Sequence, residues 1–341
     1  MGNEIEVGLI GFGLGGEVFH APLIRSVPRL SLRRVATSKT EAAAKAGLEA
    51  TRAETLIADP SIDLIVIASP NATHYPLTEA ALRAGKHVVV DKPFATSAAQ
   101  AERLTELARE RELGLTVFHN RRWDGDFLTV RKLIEDRQLG DVMLYEACWD
   151  RFRPGVNAHW KEAPEPGAGL LNDLGPHLID QALVLFGWPE AVTADMGPQR
   201  EGAAVDDYFD LLLHYGKTRV RLGASQLVAM SRPRFQIHGT GGSFVKHGLD
   251  PQQGQLKSGV PRDAERYGAE LEDQFGILTP SSGGASRVPT EKGRYHLFYE
   301  GVADMVGGGA APVDPADAER GLALMEAARV SSAERRTVPL S

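Results

Sequence analysis

A glycine-spaced hexapeptide set directly behind an apolar run constrains this chain more than any other feature. Glu6–Gly11 (EVGLIG) reads as a strand, Gly11-Phe12-Gly13-Leu14-Gly15-Gly16 follows it, and Gly15–Val27 reads as a helix. The spacing G-x-G-x-x-G is weak alone, but between a strand and a helix it has a physical meaning. Gly11 permits the tight turn, Gly13 lets a ligand approach the backbone, and Gly16 lets helix and strand pack closely. The helix start offers unpaired N–H groups and a positive dipole end to an anion. Gly11, Phe12, Gly13 and Gly16 are therefore expected to hold the pyrophosphate of a dinucleotide; the alternative is a glycine-rich turn without a ligand.

The next hundred residues fit that reading. Strand-like runs at Leu30–Thr37, Leu64–Ser69, Lys86–Val90 and Leu115–Phe118 alternate with helical stretches at Lys39–Gly47, Pro76–Ala84 and Ala98–Arg111. Leu64–Ser69 (LIVIAS) is continuously apolar, as a strand covered on both faces must be. Strict alternation with short links predicts an α/β fold, a doubly wound parallel sheet of Rossmann type. After about residue 122 the pattern changes. Phe127–Arg137 and Leu174–Phe186 read as helices, but Val142–Trp149, Tyr208–Tyr215, Thr218–Ser225 and Arg234–His238 read as strands joined by tight turns. That succession predicts a mostly antiparallel sheet. The expected domains are 1–122 and 123–341, with Asp250–Gly268 and Pro280–Gly293 as surface loops and a last helix over about 315–333.

The length, 341 residues, suits two cores. A formal charge of −7 argues against a nucleic-acid binder, which carries a clustered basic face. The lone Cys148, read as a buried structural thiol, cannot close an intramolecular disulfide. No basic leader or apolar run of membrane-spanning length is seen, so a cytoplasmic protein without membrane or nucleic-acid partners is expected. No His, Cys or carboxylate cluster has metal-ligand spacing.

The choice of dinucleotide turns on the end of the second strand. A carboxylate there would bond a ribose 2′-hydroxyl and select NAD. The chain offers Thr37, Ser38 and Lys39 instead, two hydroxyls and an ammonium that suit a 2′-phosphate. NADP is expected in preference to NAD, unless this is a solvated turn and Glu41 or another group reaches the ribose.

Four stretches carry a family resemblance: Gly8–Ile24 (GLIGFGLGGEVFHAPLI), Ala68–His74 (ASPNATH), Gly85–Pro93 (GKHVVVDKP) and Gly167–Asp180 (GAGLLNDLGPHLID). Together they resemble the Gfo/Idh/MocA oxidoreductases. Within that family, Val117–Phe127, Arg153-Pro154, Asp180-Gln181 and Gln236–Gly239 (QIHG) are similar to the NADP-dependent scyllo-inositol dehydrogenases. The resemblance spans residue 5 to about 338. It implies a Rossmann domain followed by an α/β domain with a large open sheet that commonly mediates oligomerisation, hence a homodimer or homotetramer. It also implies coenzyme contacts at Ser69, Pro70, Asn71 and His74, although His74 could instead cap the next helix. The family usually has Glu-Lys-Pro where this chain has Asp91-Lys92-Pro93, and Asp91 is expected to orient Lys92 or bond nearby backbone.

Oxidising a secondary alcohol requires a hydride acceptor and a base for the hydroxyl proton. Lys92 follows an apolar strand, at the sheet end where ligands bind, and burial beside a positive nicotinamide would disfavour its ammonium form. Asp173 and His177, four residues apart, share a helix face. Pro176 belongs in a first helical turn, which predicts Asp173 near the N-cap and His177 one turn in, held neutral by the helix dipole. An N-cap aspartate with a structural histidine is the bland alternative; the resemblance favours a catalytic trio of Lys92, Asp173 and His177. His177 is read as proton acceptor and Lys92 as the oxyanion-side partner, although their roles could be exchanged. Arg122 is expected near the nicotinamide, with a structural clamp as the alternative. Arg153 and Trp160 are candidates for the substrate pocket with Lys92, Asp173 and His177. The function expected is NADP-dependent oxidation of a cyclic polyol, scyllo-inositol to scyllo-inosose. A sugar or glycoside dehydrogenase is the alternative, and a non-enzymatic dinucleotide or sugar sensor is the rival from another class.

Overall fold

The computed structural model describes residues 4–156, 162–262 and 264–340. Two compact units make up the chain. One comprises Met1–Asn120, Gln253–Ala264 and Arg294–Leu322; the other comprises Arg121–Gln252, Glu265–Gly293 and Ala323–Ser341. Two stretches that interrupt the second unit in sequence thus belong to the first unit.

The first unit is built on six strands: β1 Ile5–Ile10, β2 Leu30–Ala36, β3 Glu49–Thr51, β4 Leu64–Ile67, β5 His87–Val90 and β6 Leu115–Val117. Their order is β3-β2-β1-β4-β5-β6 and every pairing is parallel. This is the doubly wound sheet expected from the alternation. All four residues of β4 are buried, as are the three valines of β5. Burying each such side chain is worth roughly 1.5–3 kcal/mol. The order reverses between β1 and β4, and in open sheets of this kind ligands bind beyond the strand ends at that reversal. The late stretch supplies part of the core. Phe298 and Tyr299, on the helix His296–Val306, pack ring against ring on Phe118 at the end of β6.

The second unit carries nine strands: β7 Val142–Cys148, β8 Ala191–Gly197, β9 Tyr208–Tyr215, β10 Thr218–Ser225, β11 Phe235–Gly239, β12 Gly242–Lys246, β13 Gly276–Pro280, β14 Ser286–Val288 and β15 Val338–Pro339. They run in the order β14-β13-β12-β11-β7-β10-β9-β8-β15. All pairs are antiparallel except β7 with β10. Tyr215-Gly216-Lys217-Thr218 closes the β9–β10 hairpin, with Gly216 at φ +54° as such a tight turn requires. One face buries Tyr145, Phe209, Leu211, Leu222 and Ile237, and the helix Leu170–Phe186 packs on β9 and β10. The other face is a polar ladder in which Arg221 grips Asp210 and His238 bonds Ser243.

Three local expectations need correction. Asp250–Gly268 is not merely surface loop. Asp250 and Gln252 are buried, and the Asp250 carboxylate accepts from Gly125 N at 2.7 Å and from Gln252 N at 2.8 Å. A polar composition disguised a segment whose polar groups are satisfied inward. Pro280–Gly293 contains strand β14. Cys148 is half-buried rather than fully buried, and desolvation pushes its thiol up to about 11.

Candidate active site

The glycine loop has the space its spacing predicts. Gly11, at φ +98°, lies so close to β4 that a Cβ would stand 2.4 Å from Ala68 O, and a Cβ on Gly16 would stand 2.1 Å from Gly11 O. Those two glycines are needed for the chain to pack on itself. A Cβ on Gly13 would meet nothing within 4 Å. Bare backbone facing open space ahead of a helix start is the surface a pyrophosphate requires. The helix opens in π geometry over Gly15–His20 and continues through Ala21–Ile24. At the end of β2, Thr37 Oγ1 accepts from Lys39 N at 3.0 Å, while Ser38 and Lys39 are exposed. The loop after β4 is tied internally: Ser69 and Thr73 hydroxyls meet at 2.6 Å, and Asn71 opens a 3₁₀ turn.

Asp91, Lys92 and Pro93 leave the end of β5 through a cis Lys92–Pro93 bond. The Asp91 carboxylate accepts from Lys92 N at 2.8 Å, so the shorter acid does bond the adjacent backbone. Its Oδ2 also lies 3.5 Å from His20 Nε2, and a Cβ on Gly15 would come within 2.8 Å of that oxygen. His20 is fully buried, and its Nδ1 meets the hydroxyl of Tyr299. Burial keeps that phenol protonated well above its ordinary range. The Tyr299 hydroxyl can donate to Nδ1 or accept from it, while Nε2 faces Asp91. Burial pulls the Asp91 acid upward, but His20, Lys92 and His74 outweigh it and hold it at about 2.

His74 is buried between two backbone carbonyls, Nδ1 at 2.7 Å from Pro93 O and Nε2 at 2.9 Å from Ser69 O. It ties the loop after β4 to the loop that carries Lys92. Two acceptors favour an imidazolium, yet burial is the larger effect and pulls the pKa down.

In the second unit the helix Leu170–Phe186 presents Asp173, His177 and Asp180 on one face, at i, i+4 and i+7. Its start differs from the expectation. Gly169 is the N-cap, so Asp173 is the fourth helical residue, Pro176 lies inside the helix, and His177 is the eighth. The proline rule misled here because the helix tolerates one missing backbone donor in its second turn. The dipole fades within the first turn, so the expected dipole effect does not reach His177. The helix start is closed from outside instead. Asp206 accepts from Leu171 N through its carboxylate at 2.6 Å and from Leu170 N through its carbonyl at 2.8 Å. Gly169 permits this at φ +93°, since a Cβ there would stand 2.3 Å from Asp206 Oδ1.

Two guanidiniums serve the same helix face. Arg122 grips Asp180 with two prongs, Nε to Oδ2 at 2.9 Å and Nη2 to Oδ1 at 2.6 Å. Removing either partner would leave a largely buried charge uncompensated, at about 3–5 kcal/mol. Arg151 Nη1 lies 3.0 Å from Asp173 Oδ2. Arg153, the arginine singled out from sequence, is exposed, and its backbone bonds Gln226 and Arg200. Trp160 lies outside the described residues. Sequence reasoning assigned no role to His20, Tyr299, Arg151, Trp149 or Asp206. Strand alternation through Trp149-Asp150-Arg151 was the available signal for two of these. Among the described residues, no His, Cys, Asp and Glu group could hold a metal ion, and no helix is long and apolar enough to cross a membrane.

Known proteins share this architecture. Residues 5–119 match the oxidoreductase family's NAD-binding Rossmann fold, and residues 131–340 match the C-terminal alpha/beta domain of the Gfo/Idh/MocA oxidoreductases. The chain is 40% identical to scyllo-inositol 2-dehydrogenase (NADP(+)) IolW of Bacillus subtilis, over 99% of this chain and 96% of that protein. It is 43% identical to the uncharacterized oxidoreductase YdgJ of Escherichia coli over the full length of both. The solved structure of yvaA from Bacillus subtilis superposes with a TM-score of 0.96 at 39% identity, covering 99% of each chain. With a nucleotide-binding Rossmann sheet, a nine-stranded second sheet and these matches along nearly its whole length, the chain belongs to the Gfo/Idh/MocA family of oxidoreductases.

Proposed function

We propose that this protein is an NADP-dependent dehydrogenase of cyclic polyols, interconverting scyllo-inositol and scyllo-inosose. The observation that carries the coenzyme choice is the end of β2, where Thr37, Ser38 and Lys39 stand with no carboxylate among them. Hydroxyls and an ammonium attract a 2′-phosphate, whereas an acid would repel it. The substrate class rests on the 40% identical relative whose name is scyllo-inositol 2-dehydrogenase (NADP(+)).

Gly11, Phe12, Gly13 and Gly16 would hold the pyrophosphate, Thr37–Lys39 the 2′-phosphate, and Ser69, Pro70, Asn71, His74, Asp91 and Arg122 the remainder of the coenzyme. When bound, the coenzyme would supply the hydride acceptor for the carbinol carbon. The residues of the chain manage the other half of the reaction. As the C–H and O–H bonds break, the hydroxyl proton passes to the His177 imidazole, and the Lys92 ammonium stabilises the charge gathering on the substrate oxygen. Asp173 accepts hydrogen bonds from ring hydroxyls and so fixes which carbon faces the ring. Arg153 and Trp160 complete the polyol contacts. A homodimer or homotetramer in the cytoplasm completes the proposal.

The test is a screen of purified protein with NADP⁺ and NAD⁺ against inositols and hexoses, and with NADPH against scyllo-inosose, read at the NADPH absorbance band. Turnover of scyllo-inositol with NADP⁺ at the highest kcat/KM is expected. Preference for a hexose would replace the substrate, preference for NAD⁺ would remove the ribose argument, and binding without turnover would favour a sensor.

A further inference from the structure

We propose that the extended stretch Trp149–Arg151 is a positioning strip for the Asp173–His177 pair, Trp149 fixing the plane of the imidazole and Arg151 aiming the carboxylate. The proposal rests on the reading above, in which that pair handles the polyol. Beyond β7 the chain stays extended beside β10: Trp149 N donates to Gly223 O, Arg151 N to Ser225 O and Arg153 N to Gln226 O, at 2.7–2.9 Å. Alternate side chains of an extended chain point the same way. Trp149 and Arg151 therefore face one side and Asp150 the other.

That side is the helix carrying the pair. Trp149 stacks on His177 with ring centroids 5.6 Å apart and planes 29° from parallel, and Arg151 meets Asp173 at 3.0 Å. The pitches match. Two residues of strand advance about 6.6 Å and four residues of helix about 6 Å, so positions i and i+2 of one can address i and i+4 of the other.

Both members of the strip are themselves held. The Trp149 ring is buried with the Arg121 guanidinium 4.8 Å and the Arg234 guanidinium 5.4 Å from its centroid. Arg234 is fixed in turn by Gln181 Oε1 at 2.6 Å and by the Phe235 ring. On the opposite side Asp150 is clasped by Arg232 through Nε and Nη2, each at 2.8 Å. This clasp sets the register. A slip of one residue would turn Asp150 toward Asp173 and bring two carboxylates together.

The strip is tested on the full-length protein in two ways. With histidine labelled in its ring carbons, and the His177 signal assigned by its loss in His177→Gln, the Trp149 ring current should shift the His177 ring protons upfield. Trp149→Leu should abolish that displacement and Trp149→Phe should reduce it, the second variant serving if the first does not fold. In steady-state kinetics with NADP⁺ and scyllo-inositol, Arg151→Met should raise KM for the polyol about tenfold or more, the scale of one charged hydrogen bond. KM for NADP⁺ should stay within about twofold, and Arg151→Lys should restore most of the loss. An unmoved His177 signal in both Trp149 variants overturns the strip, as does an unchanged polyol KM in Arg151→Met. If the wild type turns over no inositol with either coenzyme, the proposed function fails, and the His177 signal alone decides the strip.

Discussion

Substituting alanine at the three motif glycines should produce two opposite phenotypes. At Gly16 the new methyl would stand 2.1 Å from Gly11 O, and at Gly11 it would stand 2.4 Å from Ala68 O in a left-handed backbone conformation. Neither obstacle is a flexible side-chain end, so the backbone must move. Overpacking costs typically 1–3 kcal/mol, and strain at positive φ adds about 1 kcal/mol or more. At roughly 2–4 °C per kcal/mol, Gly16→Ala should melt about 2–12 °C and Gly11→Ala, with the added strain, about 4–16 °C below the wild type. Gly13→Ala meets no atom within 4 Å and should melt within about 2 °C of the wild type, or slightly above it, because alanine narrows the unfolded ensemble. Its methyl instead occupies the approach to the helix N–H groups. Losing one or two charge-assisted hydrogen bonds to a pyrophosphate, at about 1.5–3 kcal/mol each, weakens coenzyme at least ~10-fold. Melting curves and NADPH fluorescence titrations on the same samples separate the cases. A Gly13→Ala protein that binds NADPH as tightly as wild type, or that melts as low as Gly16→Ala, would refute the assignment of Gly13 as the bare ligand surface.

Three further outcomes follow from the site. Lys92→Ala should lower kcat at least ~100-fold with coenzyme binding retained, the lower range for losing acid–base assistance, and near-wild-type turnover would remove Lys92 from the chemistry. Lys39→Asp should shift the ratio of kcat/KM from NADP⁺ toward NAD⁺, and an unchanged ratio would show that the 2′-phosphate lies elsewhere. Burial depresses the His74 pKa in the fold, so the unfolded chain takes up a proton that the native state refuses once pH falls below about 6.5. Stability from this group is present above that pH and lost below it, by at most about 1.4 kcal/mol per pH unit. Melting curves at pH 8 and 5.5 should show the gap between wild type and His74→Gln narrowing in acid, and a constant gap would mean that His74 is not held neutral.

The first sheet was readable because each of its signals is local. Continuous apolar runs such as Leu64–Ile67 can only be strands buried on both faces, and the glycine spacing fixes where the first turn lies. Edge strand β3 escaped notice, since Glu49–Thr51 is short and polar and needs little burial. The second sheet was legible as mostly antiparallel hairpins but not in its order, because the parallel pairing of β7 with β10 joins segments about 75 residues apart. The Asp173–His177 spacing was plain in the sequence. Its setting was not: the helix begins earlier than Pro176 suggests because Asp206, from a loop more than thirty residues downstream, supplies the missing cap. Arg151 went unassigned because no local rule says which arginine of Arg151-Phe152-Arg153 turns toward a helix. Asp91 was expected to orient Lys92 or bond nearby backbone, and in the fold its carboxylate accepts from Lys92 N.

The divided make-up of the first unit has a consequence for how the chain matures on the ribosome. Residues up to Asn120 form the nucleotide sheet, yet Tyr299 completes the His20 contact and Val313 O accepts from Thr116 in β6. These late pieces emerge roughly 170 residues after the sheet itself, a wait of about 9–35 s at ordinary translation rates. During that interval Phe118 and the face around His20 stay without their covering helix, open to chaperones or to misplaced apolar partners. A fragment ending near residue 122 would remain in that condition permanently, so a stable isolated nucleotide module calls for grafting the segment 294–322 rather than for simple truncation.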